Sequence, residues 1–135
     1  MFKLEGGMKI TTRSEAMKSL TPADRQHFTG TAGLHGLIQA SPKTSEMFAA
    51  MVRFEAGTRN HWHSHAGGQL LHVVEGEGWV QSRGQAPQRV RPGDIVTADP
   101  GEEHWHGAGG NGPMAHLAVA AGETYWLQES PPPPD

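Results

Sequence analysis

The sequence predicts an all-β protein, a sandwich or barrel built from short strands. Glycine and proline are abundant, with 18 and 10 residues in a chain of 135, and they fall between short runs of apolar and β-branched residues. Turn residues at such close intervals argue against a helical bundle and favour a sheet protein. The length fits one domain, and no fixed-period repeat divides the chain.

The predicted domain occupies residues 29–129, between an irregular arm at 1–28 and a proline-rich tail at 130–135. Within the arm, Ser14 is a candidate cap for a short helical turn at 14–20. Thr21 and Pro22 predict a second turn or helix start. The four consecutive prolines of the tail predict a disordered or extended segment.

Apolar runs between the turns predict the strands. The run at 46–55 fits either helix or strand, and its short length before Gly57 favours strand. A β-branched run at 69–75 is expected to pair with 79–83 as a hairpin, because a glycine turn joins them. The predicted strands are 28–40, 46–55, 69–75, 79–83, 88–90, 94–98, 103–106, 114–121 and 125–128.

The composition argues against several classes of function. The chain has no cysteine, which excludes disulfides and thiolate zinc sites and makes the reducing cytoplasm the expected compartment. The formal net charge is −3, and no run of basic residues offers the stripe that nucleic-acid binding needs. No apolar run approaches the roughly 18 residues of a membrane helix, and the N-terminus is too interrupted for a signal peptide. We therefore expect a small-molecule substrate, with no nucleic acid and no membrane.

Histidine is concentrated in the middle of the chain, where six of the nine residues fall between His61 and His106. His61, His63 and His65 alternate with other residues, and alternate side chains of a strand point to one face. A second pair, His104 and His106, follows about forty residues later. Imidazole is the commonest metal ligand. We therefore expect a β scaffold to bring the two clusters together around one divalent metal.

The spacing of these residues resembles the two sequence motifs of the cupin family. The residues that fit the first motif are Gly57, His63, His65, Gln69 and Gly76. Those that fit the second are Gly93, Pro100 and His104. The chain departs from the pattern in three ways. Gln69 stands where glutamate is usual, one extra residue separates Gly93 from Pro100, and the asparagine usual near the end of the second motif is missing.

Longer strings narrow the resemblance to the small bacterial manganese cupins that act as hydroxynitrile lyases. These strings are F-T-G-T near the N-terminus, W-H-S-H-A-G-G-Q, G-E-G-W-V-Q, R-P-G-D, P-G-E-E-H-W-H-G-A and M-A-H-L-A-V. The resemblance implies a single-domain jelly-roll β-barrel that forms a homodimer or homotetramer. It also implies one divalent transition metal per chain, manganese, with His63, His65, Gln69 and His104 as ligands. It further implies that His106 and His116 lie in the pocket.

A neutral ligand set predicts an electrophilic metal. Three imidazoles and one amide leave the full +2 charge on the ion, which strengthens it as a Lewis acid toward a cyanohydrin oxygen. Ligands without sulfur also suit iron, cobalt, nickel or zinc. In lyase chemistry His116 would remove the hydroxyl proton, and His106 would donate a hydrogen bond to cyanide or substrate. Two alternatives stay open: another metal-dependent cupin enzyme (an Fe(II) dioxygenase, an isomerase or a polyketide-type cyclase) and a non-catalytic ligand-binding cupin.

Several neighbouring residues are expected to have structural roles. His61 precedes the first motif, which predicts a place at the rim of the pocket. His72 has the opposite strand parity to Gln69 and is expected to face away from the metal. Trp62 and Trp105 flank predicted ligands on the opposite parity, which indicates packing. Candidates for an apolar pocket wall are Val52, Phe54 and Met114.

Overall fold

The computed structural model describes residues 7–135, and its regular structure is almost entirely β, which confirms the predicted fold class. One helix, α1 (Arg13–Lys18), and one 3₁₀ turn (Pro42–Thr44) accompany thirteen strands in this part of the chain. The strands are β1 (Thr21–Pro22), β2 (Phe28–Thr29), β3 (Ala32–Ile38), β4 (Met47–Phe54), β5 (Arg59–Asn60), β6 (His63–His65), β7 (Gln69–Glu75), β8 (Gly78–Ser82), β9 (Gln88–Val90), β10 (Ile95–Ala98), β11 (His104–Ala108), β12 (Met114–Ala121) and β13 (Thr124–Trp126).

The strands form two antiparallel sheets, which pack face to face as a jelly-roll barrel. One sheet has the order β1-β3-β4-β12-β7-β10. The other has the order β13-β6-β11-β5-β2, and β8 joins it by pairing with both β11 and β9. The histidine-bearing strands β6 and β11 lie in the second sheet, whereas β7 and β12 lie in the first. A site between the sheets therefore receives side chains from both.

The strand predictions are most accurate where turn residues bound them on both sides. The strands at 69–75, 88–90 and 114–121 coincide with β7, β9 and β12, and the ambiguous run at 46–55 is β4. The predicted hairpin of 69–75 with 79–83 was wrong, because β7 pairs with β10 and β12 in the first sheet whereas β8 pairs with β9 and β11 in the second. The run at 28–40 is divided between β2 and β3 at Gly30, whose φ is +101°. A side chain at Gly30 would also collide with Thr58, so the chain can bend there only because glycine is present.

The N-terminal region departs from the prediction in two details. Helix α1 begins one residue earlier than predicted, because Thr12 is its cap and accepts a hydrogen bond from the Glu15 amide at 3.1 Å. Ser14 therefore lies inside the helix, and the prediction that it is the cap was wrong. Thr21 and Pro22 form the short strand β1 against β3 rather than a turn or helix start. Residues 1–6 of the predicted arm lie outside the described residues.

Apolar side chains from both sheets fill the barrel. Phe54 and Met114 are fully buried and stand opposite each other in neighbouring strands, and Val73 is 1% exposed. Of the three residues predicted to line the pocket, Val52 does so, whereas Phe54 and Met114 lie in the core outside the lining. The two residues form the last pair of the β4–β12 ladder, where both strands lie in the core. Among residues 7–135, no helix has the length and apolar character needed to cross a membrane.

The proline-rich tail is extended and packs against the barrel. Ser130 is 3% exposed, and its hydroxyl donates to the carbonyl oxygen of Asn60 at 2.7 Å. At the other end of the tail, the Asp135 carboxylate accepts hydrogen bonds from Arg89 at 2.8 Å and from the indole of Trp79 at 3.2 Å. The prolines keep the segment extended between these two anchors.

Candidate metal centre and pocket

Five histidines gather between the two sheets. His63 stands directly opposite His104 in the β6–β11 pairing, and His106 follows two residues along β11 on the same face. His116 approaches from β12 of the opposite sheet. All of these residues, together with His65, are at most 7% exposed. Strand pairing therefore brings together residues that are far apart in the sequence.

Three of the five can approach one ion. Ring nitrogens of His63, His104 and His106 lie within 4.8 Å of one another, so these three buried histidines are able to bind a metal. His65 is outside this trio, although its ring centroid is 5.0 Å from that of His63 and 5.8 Å from that of His104. The predicted ligand set and the trio share His63 and His104. The fourth predicted ligand, Gln69, reaches the same place from β7.

The orientation of three imidazoles leaves the same nitrogen free in each. The Nδ1 of His63 donates to the carbonyl oxygen of His61 at 2.7 Å, and the Nδ1 of His104 donates to that of Glu102 at 2.9 Å. The Nδ1 of His65 lies 3.0 Å from the hydroxyl of Thr124. A neutral ring that donates through Nδ1 has its lone pair on Nε2. Such partners fix the tautomer of metal-binding histidines.

Two further observations fit a cation at this point. The Nε2 of His104 lies 2.8 Å from Oε1 of Gln69, and in the neutral tautomer both atoms are acceptors. The Nε2 of His65 is buried and has no hydrogen-bond partner among residues 7–135. Lone pairs that converge without a donor are unfavourable unless a cation lies between them. The donor set is therefore suited to a divalent transition metal.

His106 and His116 form a second pair beside this centre. The Nε2 of His116 lies 3.0 Å from the Nδ1 of His106, and His116 is completely buried. Asn60 holds His106 from two sides. Its Oδ1 accepts from the backbone N–H of His106 at 2.9 Å, and its Nδ2 lies 3.3 Å from the ring nitrogens. Asn60 itself is 3% exposed, so this arrangement is rigid.

Burial keeps the cluster neutral. Desolvation lowers the pKa of His116 to about 4, and desolvation followed by the charge of His104 lowers the pKa of His65 to about 4. Burial, followed by the charge of a neighbouring histidine, also lowers the pKa of His63 and His106 well below the ordinary value. Burial lowers the pKa of His104 as well. Neutral imidazole is the form that binds metal and accepts protons.

A cavity of about 220 Å³ opens onto the cluster, and its lining is mainly apolar. We call it the apolar cavity. Its polar residues are Asp24, Asn60, His63, His65, Gln69, His106, His116 and Thr124. Its apolar wall consists of Phe28, Leu34, Phe48, Ala50, Val52, Ala118 and Trp126. The cavity thus combines a hydrophobic wall with polar groups at one end, as small-molecule sites commonly do.

Residues expected to be structural lie outside the cavity. His61 contributes only its carbonyl oxygen, which accepts from His63, and His72 is absent from the cavity lining. Trp105 is fully buried and donates to Gln81 at 2.8 Å, whereas the ring of Trp62 packs under the guanidinium of Arg83 at 4.0 Å.

Sequence reasoning missed two residues of the site, Asn60 and Thr124, which hold His106 and His65. Neither is a motif position, and only the pairing of distant strands shows their roles: β13 with β6 sets Thr124 opposite His65, and Asn60 of β5 reaches His106 of β11. For Trp126 the sequence left open a place at the barrel mouth or in the core, and the structure places it in the cavity wall, where it contacts the His63 ring with centroids 4.8 Å apart.

Comparison with known proteins agrees with the fold. The family described as the Cupin domain matches residues 50–120. The (R)-mandelonitrile lyase of Granulicella tundricola is 47% identical over 98 residues, which cover 73% of this chain and 72% of that protein.

Solved structures show the same architecture. A cupin-like protein from Thermotoga maritima is 33% identical, with a TM-score of 0.77 over 81% of this chain and 85% of that one. An acetylacetone dioxygenase from Acinetobacter johnsonii shares the fold at 14% identity, with a TM-score of 0.69 over 95% of this chain and 81% of that one. Together with the two motifs and the jelly-roll barrel, these matches confirm the predicted resemblance, and the chain belongs to the cupin family.

Proposed function

We propose that this protein is a metal-dependent lyase of the hydroxynitrile lyase type, which cleaves and forms cyanohydrins. The observation that carries the proposal is the hydrogen-bonded pair His106–His116 at the polar end of an apolar cavity, where ring nitrogens of His63, His104 and His106 can approach one metal ion. The 47% identical relative named (R)-mandelonitrile lyase supports the same chemistry. An apolar wall suits the substituent of a cyanohydrin, and the polar end suits its hydroxyl and nitrile groups.

We propose manganese as the metal, held by His63, His65, Gln69 and His104. Support comes from the buried Nε2 of His65, which has no hydrogen-bond partner among residues 7–135, and from the Oε1 of Gln69, which lies 2.8 Å from the Nε2 of His104. A divalent ion bound there would act as a Lewis acid toward the substrate oxygen, and its charge would not be reduced by a carboxylate ligand. Iron, cobalt, nickel and zinc also suit these ligands, so elemental analysis of the purified protein is the test.

The histidine pair supplies the proton transfers. A hydrogen bond between two neutral imidazoles uses one N–H and one lone pair, so the pair retains one further lone pair and one further N–H. His116 takes the hydroxyl proton of the cyanohydrin as the carbon–carbon bond to cyanide breaks and the carbonyl forms. The ring N–H of His106 that is not part of the inter-ring hydrogen bond protonates the departing cyanide. Proton transfer along the hydrogen bond between the two rings then makes both rings neutral again, each in the opposite tautomer, and proton exchange with solvent in the emptied cavity restores the starting tautomers.

The cavity wall orients the substrate. Trp126, Phe28 and Phe48 present aromatic surfaces to the cavity, and an aryl substituent packs favourably against such surfaces. With the substituent against this wall, the hydroxyl and nitrile groups face His106 and His116. Exclusion of water from this end keeps the proton transfers within the pair.

The experiment is cleavage of racemic mandelonitrile, followed by the ultraviolet absorbance of benzaldehyde. We expect release of benzaldehyde by the manganese-loaded protein and none above background by the metal-stripped protein. Equal rates in the two samples would exclude the proposal. Oxygen consumption by an iron-loaded sample would favour a dioxygenase instead.

We further propose a homodimer or homotetramer in the cytoplasm. Leu70 and Ile95 lie on the outer face of the first sheet and are 39% and 64% exposed, which supports burial of this face against another copy. Light scattering coupled to size exclusion measures the assembly, and a monomer at micromolar concentration would contradict it. The absence of cysteine supports a reducing compartment, and cell fractionation tests this assignment.

A further inference from the structure

A second cavity, of about 180 Å³, reaches the same centre from the opposite side. It lies between strands β7 and β10 of one sheet and strands β8 and β9 of the other. Gln69 and His104 form its inner end, and Gln69 also lines the apolar cavity. The Gln69–His104 contact therefore lies between two cavities. Because amide side chains dominate its polar lining, we call it the amide-lined cavity.

The two cavities differ in chemistry. Polar side chains form about half of the lining of the amide-lined cavity, whereas the lining of the apolar cavity is mainly apolar. The polar residues of the amide-lined cavity outside the centre are Gln81, Ser82, Gln85, Gln88, Thr97 and Glu102. A small polar molecule can exchange hydrogen bonds with such groups. The apolar residues between them are the aliphatic Leu71, Val80, Ala86, Val96 and Ala98, whereas the apolar cavity offers the rings of Phe28, Phe48 and Trp126 to an aryl group.

Part of this lining is held rigidly. Gln81 accepts from the Trp105 indole at 2.8 Å and donates to the carbonyl oxygen of Gln85 at 2.7 Å. Ser82 donates to Glu102 at 2.6 Å, and the Asp99 amide donates to the other carboxylate oxygen at 2.9 Å. These bonds keep the inner part of the cavity open. The side chains of Gln85 and Gln88 lie nearer the solvent and are exposed.

We propose that the amide-lined cavity is the binding site and passage for hydrogen cyanide, separate from the cavity that takes the carbonyl compound. This inference rests on the proposed function. When the substituent of the carbonyl compound occupies the apolar cavity, that route is blocked for the second molecule. The amide-lined cavity gives a small, polar, neutral molecule a route to the Gln69–His104 side of the centre, and the His106 ring lies next to that of His104 with centroids 5.6 Å apart. The Glu102 carboxylate in its wall disfavours the cyanide anion and leaves neutral hydrogen cyanide as the ligand.

The test narrows one cavity at a time. Ala86 and Gln88 are exposed residues at the outer end of the amide-lined cavity, so Ala86→Trp and Gln88→Trp add bulk there without entering the core. Ala50→Leu is the matched control, because Ala50 lines only the apolar cavity. In the synthesis direction, we expect the two tryptophan variants to raise KM for hydrogen cyanide severalfold with KM for benzaldehyde unchanged. We expect Ala50→Leu to raise KM for benzaldehyde severalfold and to leave KM for hydrogen cyanide unchanged.

A second readout is independent of turnover. Manganese bound at the centre broadens the ¹³C resonance of H¹³CN that exchanges into the site. We expect this broadening to fall severalfold in the tryptophan variants and to stay at the wild-type level in Ala50→Leu. Unchanged broadening in both tryptophan variants would overturn the inference. A wild-type protein that releases no benzaldehyde would exclude the lyase function, whereas reduced broadening in the variants would still support the passage.

Discussion

The Nε2 of His104 and the Oε1 of Gln69 lie 2.8 Å apart, while the Nδ1 of His104 lies 2.9 Å from the carbonyl oxygen of Glu102. In the neutral tautomer that donates through Nδ1, the Nε2 and the Oε1 are both acceptors. A divalent cation satisfies both lone pairs, and the amide leaves its charge intact. Glutamate at position 69 would bind the cation as tightly or more tightly and would neutralise part of its charge.

The variant Gln69→Glu should therefore separate affinity from reactivity. We expect it to retain metal and to lose at least about tenfold in kcat, which corresponds to roughly 1.4 kcal/mol of transition-state stabilisation. Metal titration and mandelonitrile cleavage measure the two quantities. Loss of metal from this variant would show that the amide is needed for binding, and full activity would show that the charge of the centre is not limiting.

Thr124 is expected to hold the His65 ring for the metal. Its hydroxyl lies 3.0 Å from Nδ1 of His65, and the tautomer in which Nδ1 donates to this hydroxyl leaves Nε2 as the free nitrogen. Thr124→Val keeps the shape of the side chain and removes the acceptor. We expect metal affinity to fall about 10- to 100-fold, as for other partners of ligand histidines.

The matched control is Thr124→Ser, which restores the hydroxyl and should recover most of the affinity. Competition with a chelator of known affinity gives the dissociation constants of both variants. Equal metal affinities for the valine and serine variants would show that Thr124 does not support metal binding. They would also argue that His65 is not a ligand.

His116 is expected to be the base. It is completely buried, lines the apolar cavity and bonds to His106 at 3.0 Å. Replacement by alanine removes the proton acceptor but leaves all four proposed ligands in place. We expect His116→Ala to lower kcat by about 10²- to 10⁴-fold, the usual contribution of a positioned acid or base. Elemental analysis should find the metal content unchanged, and an alanine variant as active as the wild type would require another base.

Stability of the metal-free protein should fall in mild acid. Burial lowers the pKa of His116 from 6.5 to about 4, so between these values the unfolded chain binds more protons than the folded one. The free energy of unfolding therefore decreases as pH falls through that window. Above the window, the folded protein keeps the whole contribution of His116 to its stability. At about 1.4 kcal/mol per pKa unit, the shifted pKa of His116 alone lowers the free energy of unfolding by roughly 3 kcal/mol across the window.

Urea unfolding of the metal-free protein at pH 7.5 and pH 5 measures this dependence. His116→Gln, which cannot be protonated in this range, should show a smaller difference between the two pH values than the wild type. An equal difference would mean that the dependence comes entirely from the other buried histidines.

The sequence predicted what local patterns determine. Strands β7, β9 and β12 are bounded by turn residues at both ends, and residues such as Gln69 and His104 follow a spacing that the barrel requires. What depends on pairing between distant strands was not predictable. Thr124 meets His65 only because β13 pairs with β6, and position 60 meets position 106 across forty-six residues.

Asn60 illustrates this limit and gives a last prediction. Its Oδ1 accepts from the His106 amide at 2.9 Å and its Nδ2 contacts the His106 ring at 3.3 Å, so we infer that it positions His106. Asn60→Ala leaves a buried N–H unpaired and should cost about 1–3 kcal/mol of stability.

Asn60→Asp distinguishes positioning from a purely structural role, because the carboxylate still accepts from the His106 amide but cannot donate to the ring. A carboxylate beside the histidine pair stabilises the imidazolium form and raises the pKa of both rings. The acid limb of the kcat profile should therefore move to higher pH in Asn60→Asp. A residue that merely supports the fold would lower activity without moving that limb, so an unshifted profile with normal stability would contradict the positioning role.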